Sequence, residues 1–102
     1  MLAVDTNVIV RIATNDDLEQ IQWAVALFER ERIFIAKTVL LEVEWVLRFS
    51  YHLPRGIIAP TLRKVVGLQQ VEVKNPDEIF IALDGYEQGL DFADAIALGE
   101  QW

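Results

Sequence analysis

The sequence predicts a layered α/β domain built on a short parallel sheet. Apolar residues make up 53% of the chain, enough that its elements must be buried on more than one side. Short β-branched runs alternate with longer segments of helical period, the pattern of strands joined by crossover helices. At 102 residues the chain holds one core and not two, so residues 1–102 are read as a single domain.

The elements follow in order. Leu2-Ala3-Val4 is apolar and turn-bounded, the pattern of a buried strand, and Thr6 or Asn7 suits the cap of a helix through Val8–Ile12. Asn15-Asp16-Asp17 marks a turn, after which Leu18, Ile21, Val25 and Phe28 recur at helical spacing as far as Arg30. Ile33-Phe34-Ile35-Ala36 is the second strand, and a long apolar helix covers Thr38 to Ser50. His52-Leu53-Pro54-Arg55-Gly56 and then Pro60 break this helix before another segment running to Leu68. Val71-Glu72-Val73 is the third strand. Asn75-Pro76-Asp77 opens a helix whose end Gly85 or Gly89 loosens, and Asp91 caps a last helix. Alternation of this kind favours a parallel sheet covered on both faces.

Charge and motif content narrow the chemistry. Sixteen acidic against nine basic residues leave a net charge of −7, which disfavours a broad basic surface that grips nucleic acid. Carboxylates that collect divalent cations can still present metal to a phosphate. The absence of cysteine removes disulfides and thiolate zinc sites. No apolar run approaches the roughly 18 residues of a membrane span and no basic leader precedes one, so the chain is read as cytoplasmic. Phosphate-binding loops, nucleophile elbows and zinc-protease signatures are missing, and the single His52 sits in a turn as a surface residue.

Three carboxylates stand out. Asp5 lies at the carboxyl end of the first strand, where ligands gather in open α/β sheets. Taken alone it is more simply a helix cap, although Asn7 can do that work. Glu42 has Val39, Trp45, Val46 and Phe49 as its helical neighbours, with no cation at that spacing. A glutamate in an apolar stripe needs a metal or hydrogen-bond donors to offset its burial, the alternative being a side chain that reaches the surface at the helix edge. Glu44 has Arg48 four residues on, so an ordinary helix ion pair accounts for it. Asp94 follows Asp91 by three residues, a spacing that also fits a cap and a first-turn acid. Together, Asp5, Glu42 and Asp94 form a hard-cation site for Mg²⁺ or Mn²⁺. Such a site can polarise a phosphodiester and activate water without histidine or cysteine. A phosphoacceptor receiver-like domain is the weaker reading, because paired acids near the first strand and a later lysine are not in place.

The blocks VDTNVIVR, TVLLEVEWVLR and GLDFADAIAL, in this order across nearly the whole chain, resemble the PIN-domain ribonucleases, and in particular VapC-like toxins of toxin-antitoxin pairs. The resemblance implies a three-layer α/β/α sandwich, Mg²⁺- or Mn²⁺-dependent endoribonuclease activity on RNA, a homodimer, and inhibition by a cognate antitoxin. It assigns Asp5, Glu42 and Asp94 as metal-holding catalytic acids, with Asp91 a less constant neighbour. Thr6 and Asn7 match the polar pair that orders the site, and Arg11 contacts carboxylates or phosphate, or is an ordinary surface arginine. Family members usually continue into a fourth short strand bearing a fourth acid, whereas the sequence stops at Trp102, eight residues after Asp94. The expectation is therefore a PIN-like domain incomplete at its C-terminus. The rival function is a silent truncated scaffold that dimerises or binds antitoxin.

Overall fold

A computed structural model describes residues 2–14, 22, 26 and 29–99. Its elements run β1 (Leu2–Ala3), α1 (Thr6–Thr14), β2 (Ile33–Phe34), α2 (Lys37–Phe49), α3 (Arg55–Val66), β3 (Val71–Glu72), α4 (Pro76–Glu87) and α5 (Phe92–Gly99). Most of the helix expected before Arg30, including Leu18, Ile21, Val25 and Phe28, lies outside the described residues, as does Trp102.

The three strands form one parallel sheet in the order β1-β2-β3. Leu2 pairs with Ile33 and Ile33 with Val71, one register step before Ala3, Phe34 and Glu72. The ladder continues past the strand ends, with the Val4 amide donating to Phe34 O at 3.4 Å and the Ile35 amide to Glu72 O at 3.0 Å. Parallel pairing needs a crossover between strands, and helices α2 and α3 lie between β2 and β3. The α/β fold expected from the alternation is therefore present. β1 corrects one detail: Leu2 and Ala3 are exposed and only Val4 is buried. Among the described residues β1 lies at the edge of the sheet and pairs on one side alone.

Central strand residues Ile33 and Ile35 are fully buried, with Ile9 of α1, Leu40, Val43 and Leu47 of α2, and Ile58 and Leu62 of α3 packed in the same core. α4 and α5 pack on each other, and α5 also touches α2. Pro60 does not break a helix as expected, because α3 runs through it. The ring removes the bond to the Gly56 carbonyl, but buried Ile58, Ala59 and Leu62 on both sides hold the helix in place. The break falls instead between Phe49 and Arg55, where exposed His52 takes a left-handed φ of 56°.

The end of α4 is a Schellman turn. Gly89 has φ 111°, the Leu90 amide donates to Gly85 O at 3.0 Å and the Gly89 amide to Tyr86 O at 3.1 Å. The Leu90 side chain folds back onto Gly85, leaving only 3.0 Å between its Cδ1 and the place a Cβ would take. This tight turn delivers the chain to Asp91.

Candidate active site

β1 ends just before Asp5, and Asp5 caps α1: the Val8 amide donates to Asp5 Oδ1 at 3.1 Å. The expected alternatives, Thr6 and Asn7, do not perform this cap. Thr6 donates its hydroxyl to Glu42 Oε2 at 2.6 Å instead. That bond ties the turn carrying the first acid to the helix carrying the second. Asn7 and Arg11 are exposed on α1, and their side chains make no hydrogen bond or ion pair among the described residues.

The last helix begins in the same way. The Asp94 amide donates to Asp91 Oδ1 at 3.1 Å, and the Ala95 amide to Asp91 O at 2.9 Å. Asp91 is thus the cap and Asp94 the first-turn acid, as the spacing suggested. Both acids are exposed. A groove of about 480 Å³ between α2 and the start of α5 is lined by Glu42, Glu44, Trp45, Arg48 and Asp91 among others. Glu42 and Asp91 therefore share one groove, while Asp5 reaches Glu42 through Thr6, and Asp94 stands in the first turn of α5.

Glu42 does not lie in a buried stripe as its neighbours in the sequence suggest. The buried stripe of α2 is Leu40, Val43, Glu44 and Leu47. Glu42 is exposed, and its neighbours Trp45 and Phe49 are 56% and 52% exposed. α2 is apolar on almost every side, so helical period alone could not say which stripe faces inward.

Glu44 is the buried carboxylate, 3% exposed. The expected pair with Arg48 forms, with Nε 2.8 Å from Glu44 Oε2 and Nη2 donating to Oε1 at 3.2 Å. Tyr86 of α4 adds its hydroxyl, donating to Glu44 Oε2 at 3.0 Å. Burial first, and then this bond to an anion, push the Tyr86 phenol well above its ordinary range. The sequence held a signal for it: Tyr86 follows Ile79, Ala82 and Leu83 on one apolar face, and a buried phenol needs an acceptor.

Charge pairing separates the acids into two groups. Glu44, Glu72, Glu78, Asp84 and Glu87 each face an arginine or lysine. Among the described residues Asp5, Glu42, Asp91 and Asp94 have no such cation, and neither do Glu29, Glu31 and Asp77. Asp5, Glu42 and Asp91 each commit one carboxylate oxygen to a protein donor. The remaining donor set is hard, anionic and solvent-facing, which suits Mg²⁺ or Mn²⁺. Among the described residues no three acidic or histidine side chains already stand close enough together to hold an ion.

A short parallel sheet with Asp5 just past its first strand, tied through Thr6 to Glu42, puts carboxylates where open α/β folds gather their ligands. Over residues 2–99 the chain matches the PIN domain family, and it belongs to that family. PIN domains are in general nucleases and typically use divalent metals. No curated protein and no solved structure matches the chain significantly. No helix among the described residues is long and apolar enough to cross a membrane.

Proposed function

We propose that the protein is a Mg²⁺- or Mn²⁺-dependent endoribonuclease of the VapC-like toxin type. Asp5, Glu42 and Asp94 are its metal-holding acids, and Asp91 is their neighbour. The observation that carries this reading is the 2.6 Å bond from Thr6 to Glu42, which holds the Asp5 turn against α2. When bound, a divalent ion supplies Lewis acidity toward a phosphodiester and acidifies a water molecule. The chain's own residues do the rest. Thr6 orients the Glu42 carboxylate, Asn7 stands beside it on the first turn of α1, and Asp91 fixes the start of α5. Arg11, an exposed cation one helical turn beyond Asn7, meets substrate phosphate.

The toxin reading adds a homodimer, a cognate antitoxin and a cytoplasmic site of action. Exposed Trp45, Phe49 and Leu98 offer apolar surface for such contacts. The test is cleavage of a single-stranded RNA with Mn²⁺, repeated with chelator and with Asp5→Asn. Cleavage that disappears in both supports the assignment. Equal activity in Asp5→Asn overturns the role of Asp5, and no cleavage by the wild type favours the silent, partner-binding scaffold.

A further inference from the structure

We infer that Arg55 is a positioning residue for Asp91, acting together with Tyr86 to fix both chain neighbours of that acid. The role of Asp91 at the metal site rests on the nuclease reading above; its positioning by Arg55 does not.

Arg55 is the first residue of α3, the end of a helix where a positive charge is disfavoured, and no acid in that first turn offsets it. Its guanidinium serves another helix. Nη1 donates to Tyr86 O at 2.9 Å and also to Leu90 O. These carbonyls belong to the end of α4 and to the residue just before Asp91. The C-terminus of a helix attracts cations, yet α4 has no basic residue in its own last turn. Arg55 supplies that cation from α3.

The same guanidinium lies over the Tyr86 ring, 4.5 Å from its centroid. The Tyr86 hydroxyl is anchored on buried Glu44, and its ring packs at 5.4 Å against Phe92, the first residue of α5. Asp91 is therefore bracketed, with the Leu90 carbonyl held by Arg55 on one side and the Phe92 ring held by Tyr86 on the other. The run from Glu44 through Tyr86 and Arg55 links the buried face of α2 to the turn that aims Asp91 into the groove it shares with Glu42. A lysine reproduces this only in part, since its single ammonium can bond both carbonyls, as Nη1 does here, but offers no planar face to stack on the ring.

The Asp94 amide reads the placement directly, because its acceptor is the Asp91 carboxylate. Amide hydrogen exchange in Arg55→Gln is expected to speed up about tenfold at Asp94 and Ala95 while the Val8 amide, capped by Asp5, is unchanged. Arg55→Lys is expected to fall between, and Tyr86→Phe to move the same two amides in the same direction. Arg63→Gln is the control: Arg63 pairs with Asp84 and Glu87 of α4 without touching the turn, so Asp94 should exchange at the wild-type rate. In RNA cleavage, half-saturating Mn²⁺ is expected to rise about tenfold in Arg55→Gln, the scale seen when groups behind metal ligands are removed. Wild-type exchange at Asp94 in folded Arg55→Gln overturns the inference, and Arg55→Lys decides in its place if Arg55→Gln does not fold. Absence of cleavage by the wild type overturns the nuclease reading alone, since the exchange rates still decide the role of Arg55.

Discussion

Glu42 and Glu44 stand two residues apart on α2, which turns their side chains roughly 200° from one another. Glu44 points inward, where Arg48 and the Tyr86 hydroxyl share its charge. Glu42 points outward and, among the described residues, takes only the Thr6 hydroxyl. The difference follows from desolvation. A buried carboxylate without partners is too costly to keep, so Glu44 has been given a full set. An exposed one retains its water and therefore its capacity to exchange that water for a ligand. Removing Glu44 should thus unsettle the fold, and removing Glu42 should disable the site.

The largest expected effect is on the buried side. Glu44→Ala strands a half-buried arginine and a buried phenol, and should cost about 3 kcal/mol of stability by urea denaturation. Nearly as large, and on the other side, Glu42→Gln should lower the rate of RNA cleavage at least about 100-fold, or about 2.7 kcal/mol of barrier. The same change should shift the urea midpoint little, as for other exposed positions. A Glu42→Gln variant that unfolds early would erase the contrast between the two acids.

Tyr86→Phe sharpens it by removing one hydroxyl from Glu44, for about 1.5 kcal/mol. It should also change the alkaline limb of stability. The folded phenol titrates above the ordinary tyrosine value of 10.0 because it is buried and bonded to Glu44. Above pH 10 the unfolded chain gives up this proton while the folded chain keeps it, so stability is complete below that pH and falls as pH rises beyond it. Denaturation midpoints across pH 9 to about 11 should fall less steeply in Tyr86→Phe than in wild type.

Thr6→Val removes the bond to Glu42 without burying anything new and should cost about 1 kcal/mol or less. Its larger signature is a loss of cleavage with the fold intact. The smallest effect is Trp45→Ala, expected within about 0.5 kcal/mol by thermal unfolding, since the indole is mostly exposed. A loss of several kcal/mol there would mean that the outer face of α2 is covered in solution.

Much of the fold is legible in the sequence. Ile33 and Val71 begin strands that pair as a parallel ladder, and Asn75-Pro76 and Asp91 open helices where their chemistry suggested. The misreadings have one cause. A pattern of hydrophobicity says that a segment is buried but not which side, and in a helix as apolar as α2 every stripe resembles a core stripe. The spacing of α2 suggests for Glu42 a burial that belongs to Glu44, while the bond Glu42 does make, from Thr6, joins residues 36 positions apart. Pro60 misled in the opposite direction, because the buried side chains that carry α3 through it act across the core and leave no local mark.

By itself the sequence determined the α/β class, the helix starts at Asp91 and Asn75-Pro76, and an excess of acids at the ends of apolar elements. These are properties of neighbouring residues, written in local propensity and spacing. The Glu44–Arg48 pair belongs with them, four residues apart on one helix; only the tertiary structure decided which of Glu42 and Glu44 is buried and what else reaches each, because those partners come from other helices. Tyr86 reaches Glu44 from 42 residues away, and Arg55 holds the turn before Asp91 from a helix that shares no motif with it.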